Sequence, residues 1–229
     1  MWYDDLPANS SWASLWHDLI VCGNCGGIRD FKQVCPGCGA PVPTSEIRTF
    51  TLPDGTVEHV TMAFMGAEGR YQDYVYLQMM EREWERPLLP ADASLINLSN
   101  PPPSPRAAIV LLFWTYFETR IDRLLRLGLK DQPAAIVEDL LNRYASVGAR
   151  MDRLYKIVFG TTYFADLNDS GFQDITNHLV NVQKHRNDFS HGQPEAIDDE
   201  LVRSVVEKLK AEHEAWVSIF NKKCRARLP

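Results

Sequence analysis

Two groups of residues in this chain have types and spacings that could do chemistry. The first is Cys22-Gly-Asn-Cys25 followed by Cys35-Pro-Gly-Cys38, two C-x2-C pairs nine residues apart. Each pair sits in a Gly-rich turn whose free backbone N–H groups can stabilise sulfur. Four thiolates form the donor set of a tetrahedral Zn²⁺, and an all-cysteine site with no open position is structural rather than catalytic. Two redox motifs or two disulfides would use the same residues, but paired knuckles each followed by Gly favour zinc. The second group is Arg186, Asn187 and His191. The apolar stripe of that segment runs Phe172, Ile175, Leu179, Val182, then Arg186, then Phe189, so Arg186 stands where a hydrophobe belongs. A charge on a packing seam is costly unless it is paired or the seam opens to solvent or ligand. Asn187 and His191 are i,i+4 neighbours and can share one side of the last turn. Arginine holds phosphate through a bidentate fork and histidine is the usual general acid or base near neutral pH. Together they suit a phosphodiester cleaved without metal. An inert arrangement uses the same residues, with Arg186 paired to Glu118 and His191 capping a helix C-terminus. Spacing alone does not separate the two.

The elements that must position these groups are mostly helical. Trp12, Leu15, Trp16, Leu19 and Ile20 recur at helical spacing and predict an amphipathic helix over 9–21. Residues 22–39 are the knuckles. Ile47–Leu52 and Thr56–Phe64 flank Pro53-Asp-Gly55, a hairpin signal that completes a zinc ribbon. Tyr71, Tyr74, Val75 and Met79 weakly predict a helix over 70–86, and the Pro-rich stretch from Pro90 to Pro105 reads as a linker. Helical patterns then run from Ser104-Pro-Arg to Gly128, from Gln132-Pro133 to Tyr144, over Ala149–Val158, over Phe172–Ser190 up to Gly192, and over Ile197–Asn221. The expected fold is mainly α, an antiparallel helical bundle preceded by a small zinc-ribbon β module. The division is 1–69 for the N-terminal helix and ribbon, 70–103 for a connecting helix and linker, and 104–229 for the bundle.

Composition narrows the function classes. Of 229 residues, 45% are hydrophobic, enough for a sizeable core. Met1-Trp-Tyr-Asp-Asp lacks the basic and apolar regions of a secretion leader, and Ala107–Phe117 is too short an apolar run to cross a bilayer. Reduced thiolate ligands fit the cytoplasm, so a soluble cytoplasmic protein is expected. Cys224 is left over as an incidental thiol. The net charge of −6 argues against a general nucleic-acid binder, but it is unevenly placed: residues 1–103 carry −7 and residues 104–229 carry +1. Arg120, Arg123, Arg126 and Lys130 give the first bundle helix a basic side, read as solvated surface or as a track for an RNA backbone. Lys222, Lys223, Arg225 and Arg227 form a basic tail, and His178 and His185 read as surface residues of the motif helix. The sequence has no P-loop, GxGxxG or carboxylate metal cluster.

Lys184-His-Arg186-Asn187-Asp-Phe-Ser-His191-Gly192 resembles the signature of the HEPN superfamily: Arg, a polar residue, three variable positions, then His, often followed by Gly. The segment Phe113-Trp-Thr-Tyr-Phe-Glu118-Thr-Arg-Ile-Asp122 is similar to the family's opening helix with its embedded acid. The likeness covers roughly 104–221. It implies an all-helical homodimer in which paired motif helices build a composite site of a metal-independent endoribonuclease. His191 would be the general acid/base, Arg186 would stabilise charge on phosphorus, Asn187 would orient the histidine or bind phosphate, and Glu118 would position or neutralise Arg186. Relatives of this kind serve as toxins or antiviral effectors, which implies an RNA substrate and an antitoxin or trigger protein as partners. Two other readings stay open: a non-catalytic HEPN nucleotide- or RNA-binding or dimerisation scaffold, and a zinc-ribbon nucleic-acid-binding regulator.

Overall fold

The computed structural model describes residues 1–6, 8, 10–30, 32–42, 47–61, 67–89 and 101–225. Residues 90–100 of the expected linker, the end of the expected second hairpin strand (62–64) and Arg227 of the basic tail lie outside them. The fold is mainly α with a small β part near the N-terminus. None of the described helices is long and apolar enough to cross a membrane.

The expected helix over 9–21 does not form. Trp12–Trp16 make a 3-10 helix, and the chain then extends as β1 (Leu19–Val21), paired antiparallel with β2 (Ile28–Asp30). The first knuckle lies in the connection between these strands. Its Cys22 N–H donates to Gly27 O at 2.7 Å and Gly26 N–H donates to Cys22 O at 2.8 Å, so the turn needs two extended arms. That demand overrides the helical spacing of Leu19 and Ile20, while Trp12 and Trp16 still reach the core through one tight turn. The second hairpin appears as read: β3 (Ile47–Thr51) pairs with β4 (Val57–Thr61) in a separate two-stranded sheet, with Gly55 at φ 83° in the turn.

Among the described residues, seven helices follow. α1 is Ala67–Glu85, α2 Ala107–Gly128 and α3 Ala134–Arg143. α4 passes through Val147–Ala149, a π-helical turn Arg150–Leu154, and Tyr155–Phe159. α5 (Tyr163–Asp169) is a short helix that the sequence reading lacks. α6 is Gln173–Ser190 and α7 Asp199–Arg225. Ser104 joins the starts of α2 and α7: its N–H donates to Ile197 O at 2.7 Å and its hydroxyl to Asp199 Oδ1 at 2.6 Å. α2 and α7 therefore run in the same sense, and α6, ending just before α7 begins, runs against both. Gly192 closes α6 at φ 93°, a left-handed position that favours glycine.

One core spans the chain. Ile109, Phe113, Trp114, Phe117, Ile121 and Leu124 of α2 pack with Val202, Val206, Leu209, Trp216 and Ile219 of α7. Trp12, Trp16, Ile28, Leu77 and Met80 join the same cluster, so the segments divided at 69 and 103 share their hydrophobic interior. α1 docks on α2 through Leu77, Met80 and Asp73 rather than through Val75 and Met79, and Met79 faces solvent. The face differs from the sequence reading because the fully buried Asp73 carboxylate takes both Arg123 Nη atoms at 2.9 Å. A paired acid can sit in an apolar stripe and mask its periodicity.

Candidate functional site

The two knuckles bring Cys22, Cys25, Cys35 and Cys38 together with all ligand atoms within 4.8 Å of one another. The Cys22–Cys38 and Cys25–Cys35 sulfurs are each 3.7 Å apart, too far for a disulfide and close to the ~3.8 Å that tetrahedral Zn–S bonds of about 2.3 Å require. The donor set and spacing fit a zinc ion. Backbone N–H groups support the sulfurs as the knuckle turns suggested. The Ala40 N–H, with Asn24, holds Cys38 down to about 6. Burial pushes Cys25 up to about 12 despite the N–H of Gly27. Four crowded thiols in part-buried surroundings cannot all ionise without a cation, which is what a bound metal supplies. Cys224 is buried and outside this cluster.

The last two turns of α6 carry Arg186, Asn187 and His191. Ile175, Leu179 and Val182 are buried, whereas Arg186 and Asn187 are half-buried and His191 is exposed at the C-cap. The seam therefore opens toward solvent where the arginine interrupts it. Arg186 Nη1 donates to Asn187 Oδ1 at 3.3 Å. Among the described residues it makes no ion pair, and the expected partner Glu118 is not near it. Phe113 of α2 stacks beside His178 of α6, with ring centroids 6.1 Å apart. From that level Glu118 lies five residues one way and Arg186 eight residues the other, an axial separation of about 20 Å. Within one chain, Glu118 neither positions nor neutralises Arg186.

The basic side read on α2 is solvated only in part. Arg120 is fully buried, ion-paired with Glu212 of α7 at 2.5 Å and sandwiched between the rings of Tyr116 (4.7 Å) and Trp216 (4.4 Å). Arg123 holds Asp73, and Arg126 is shared between Asp122 and Glu138, both at 2.7 Å. Arg126 and Lys130 are the exposed members of the four, and Arg126 is engaged by its two carboxylates. In the basic tail, Lys223 is buried against Asp166, which also accepts from Tyr155 Oη at 2.7 Å. Arg120, Arg123 and Lys223 are thus tied into the fold by buried carboxylates. His178 is not a surface residue either. It is buried with Nδ1 3.3 Å from Ser204 Oγ, and burial lowers its pKa to about 4. His185 is half-buried with Nδ1 enclosed.

The sequence reading missed the contacts that tie the knuckles to α7. They involve Asn221 and Arg225, two polar residues at i,i+4 on a helix whose other positions are dominated by the core. Comparison of the chain with protein-family models, with curated proteins and with solved structures finds no match.

Proposed function

We propose that the helical unit is a metal-independent endoribonuclease that acts as a homodimer, with the ends of two α6 helices forming one cleft. The observation that carries this reading is the state of Arg186. It interrupts the apolar stripe of α6, is half-buried, has no carboxylate partner among the described residues, and sits beside Asn187 and the exposed His191. A cation that costs packing and makes no structural ion pair is available for a phosphate. The resemblance of Arg186–Gly192 to the HEPN motif supports the same assignment.

In this reading the ribose 2′-oxygen attacks phosphorus, the P–O2′ bond forms and the P–O5′ bond breaks. His191 of one copy accepts the 2′ proton, and His191 of the other, as imidazolium, gives a proton to the leaving 5′-oxygen. Arg186 stabilises the charge that develops on the phosphoryl oxygens, and Asn187 fixes the guanidinium it already touches. The products are a 2′,3′-cyclic phosphate and a 5′-hydroxyl. The cysteine cluster holds a structural Zn²⁺ outside this chemistry. The biological role in the same reading is that of a toxin or defence effector.

Purified protein is incubated with total RNA in excess EDTA beside the Arg186→Ala and His191→Ala variants. Wild type is expected to cut, with each variant slower by about 10²–10⁴-fold. Variants that cut as fast as wild type overturn the assignment. Wild type that leaves every RNA intact while remaining a dimer favours the scaffold reading.

A further inference from the structure

α7 reaches both knuckles with side chains that neither the core nor the proposed nuclease site uses. Asn221 Oδ1 accepts from the Ile28 N–H at 2.6 Å, and its Nδ2 donates to Ile28 O at 2.7 Å. The amide thus pairs with β2 as another strand would, three residues after Cys25. The backbone comes close enough that a Cβ on Gly27 would lie 3.0 Å from Asn221 Oδ1 and 3.3 Å from Cys25 Sγ. One turn further on, Arg225 Nη2 donates to Pro36 O at 2.5 Å in the second knuckle. A Cβ on Gly37 would meet Cys25 Sγ at 3.3 Å and Arg225 Nε at 3.6 Å. The same turns of α7 are anchored inward by Phe220 and Cys224 in the core and by the buried Lys223–Asp166 pair.

We infer that Asn221 and Arg225 are positioning residues of the metal centre: one helix face holds the two cysteine pairs at the spacing a tetrahedral ion needs. Neither residue touches a metal. Each fixes a backbone group next to a ligand, the role that outer-shell hydrogen bonds play at metal sites. Because the contacts join the site to α7, they couple metal binding to the docking of that helix end, and the coupling is reciprocal. Filling the site tightens the end of α7, and loosening α7 weakens the site. This inference does not rest on the nuclease reading.

The test measures zinc affinity of the full chain by competition with a chromophoric chelator. Asn221→Ala is expected to weaken zinc by about 10–100-fold, the usual effect of removing an outer-shell partner. Leu179→Ala, which opens the core of α6 and touches neither knuckle, serves as the control for general destabilisation and is expected to leave affinity within about twofold. Co²⁺ loaded into the Asn221→Ala protein should still give tetrahedral thiolate absorption, showing that the ligands themselves are intact. Unchanged affinity in Asn221→Ala, or an equal loss in Leu179→Ala, overturns the inference. Should Asn221→Ala fail to fold, hydrogen exchange of wild type decides. Amides of residues 217–225 must exchange faster after metal is stripped, and unchanged exchange there overturns the coupling.

Discussion

The buried pair Arg120–Glu212 permits a sharp prediction about what stabilises the bundle. Both side chains are fully buried, and Arg120 Nε and Glu212 Oε1 have no hydrogen-bond partner. Burial pushes the Glu212 carboxyl up, against the pull of Arg120, so the pair pays heavily for desolvation. Glu212→Gln removes the charge but leaves the guanidinium enclosed between Tyr116 and Trp216. A buried cation without its anion costs about 3–5 kcal/mol, a large part of the 5–15 kcal/mol that keeps a domain folded. Arg120→Met together with Glu212→Leu removes both charges and both unsatisfied atoms while keeping similar volume. The double variant is expected within about 1 kcal/mol of wild type, or above it. Urea unfolding followed by tryptophan fluorescence measures all variants, since Trp216 contacts Arg120 directly. A Glu212→Gln cost below about 1 kcal/mol, or a double variant as unstable as the sum of the singles, would refute the argument.

Acid should weaken the fold through His178. Its pKa is held at about 4 by burial, below the ordinary 6.5, so between those values the unfolded chain binds a proton that the folded chain refuses. This contribution is flat above pH 6.5, and stability falls as pH drops toward 4, by up to about 3 kcal/mol over the whole interval. His213, also lowered by burial, acts in the same direction. The difference between unfolding midpoints at pH 7 and pH 5 is expected to narrow in His178→Leu, and an unchanged difference would remove His178 from the account. At the end of α2, a Cβ on Gly128 would lie 2.1 Å from Val158 Cγ1 and 2.7 Å from Phe159 Cζ. Gly128→Ala should therefore destabilise by about 1–3 kcal/mol, although helix propensity alone would favour alanine by about 1 kcal/mol. A raised denaturation midpoint would contradict the packing described for α2 and α4.

Local patterns proved legible where a short stretch of chain determines the outcome. The cysteine spacing foretold the cluster, Pro53-Asp-Gly55 foretold the β3–β4 turn, and the apolar periodicities foretold α2, α3, α6 and α7 within a few residues. The failures have a common physical source in partners that are distant along the chain. Trp12 to Ile20 carried a helical period, but a strand pairing with Ile28–Asp30 and a core contact with α7 took precedence. The α1 face was misjudged because Asp73 is buried against Arg123, fifty residues on. Arg120 was read as surface, yet it follows Phe113 and Phe117 on the core stripe, as Arg186 follows Leu179 and Val182. The same signal marks both arginines. What separates them is Glu212, an acid on the facing stripe of α7 ninety-two residues away, for which Arg186 has no counterpart among the described residues.

α7 also governs when the N-terminal segment can settle on the bundle. Trp2 Nε1 donates to Val206 O, and Ile28 is held by Asn221, contacts that close loops of 204 and 193 residues. Pairings of such range are formed late and slowly during folding. A ribosome still translating the segment before α7 thus carries a chain in which Trp2 and Trp16 lack their α7 partners. Synthesis of α7, rather than of the cysteines that precede it, is the step that lets the Trp2 and Ile28 contacts form.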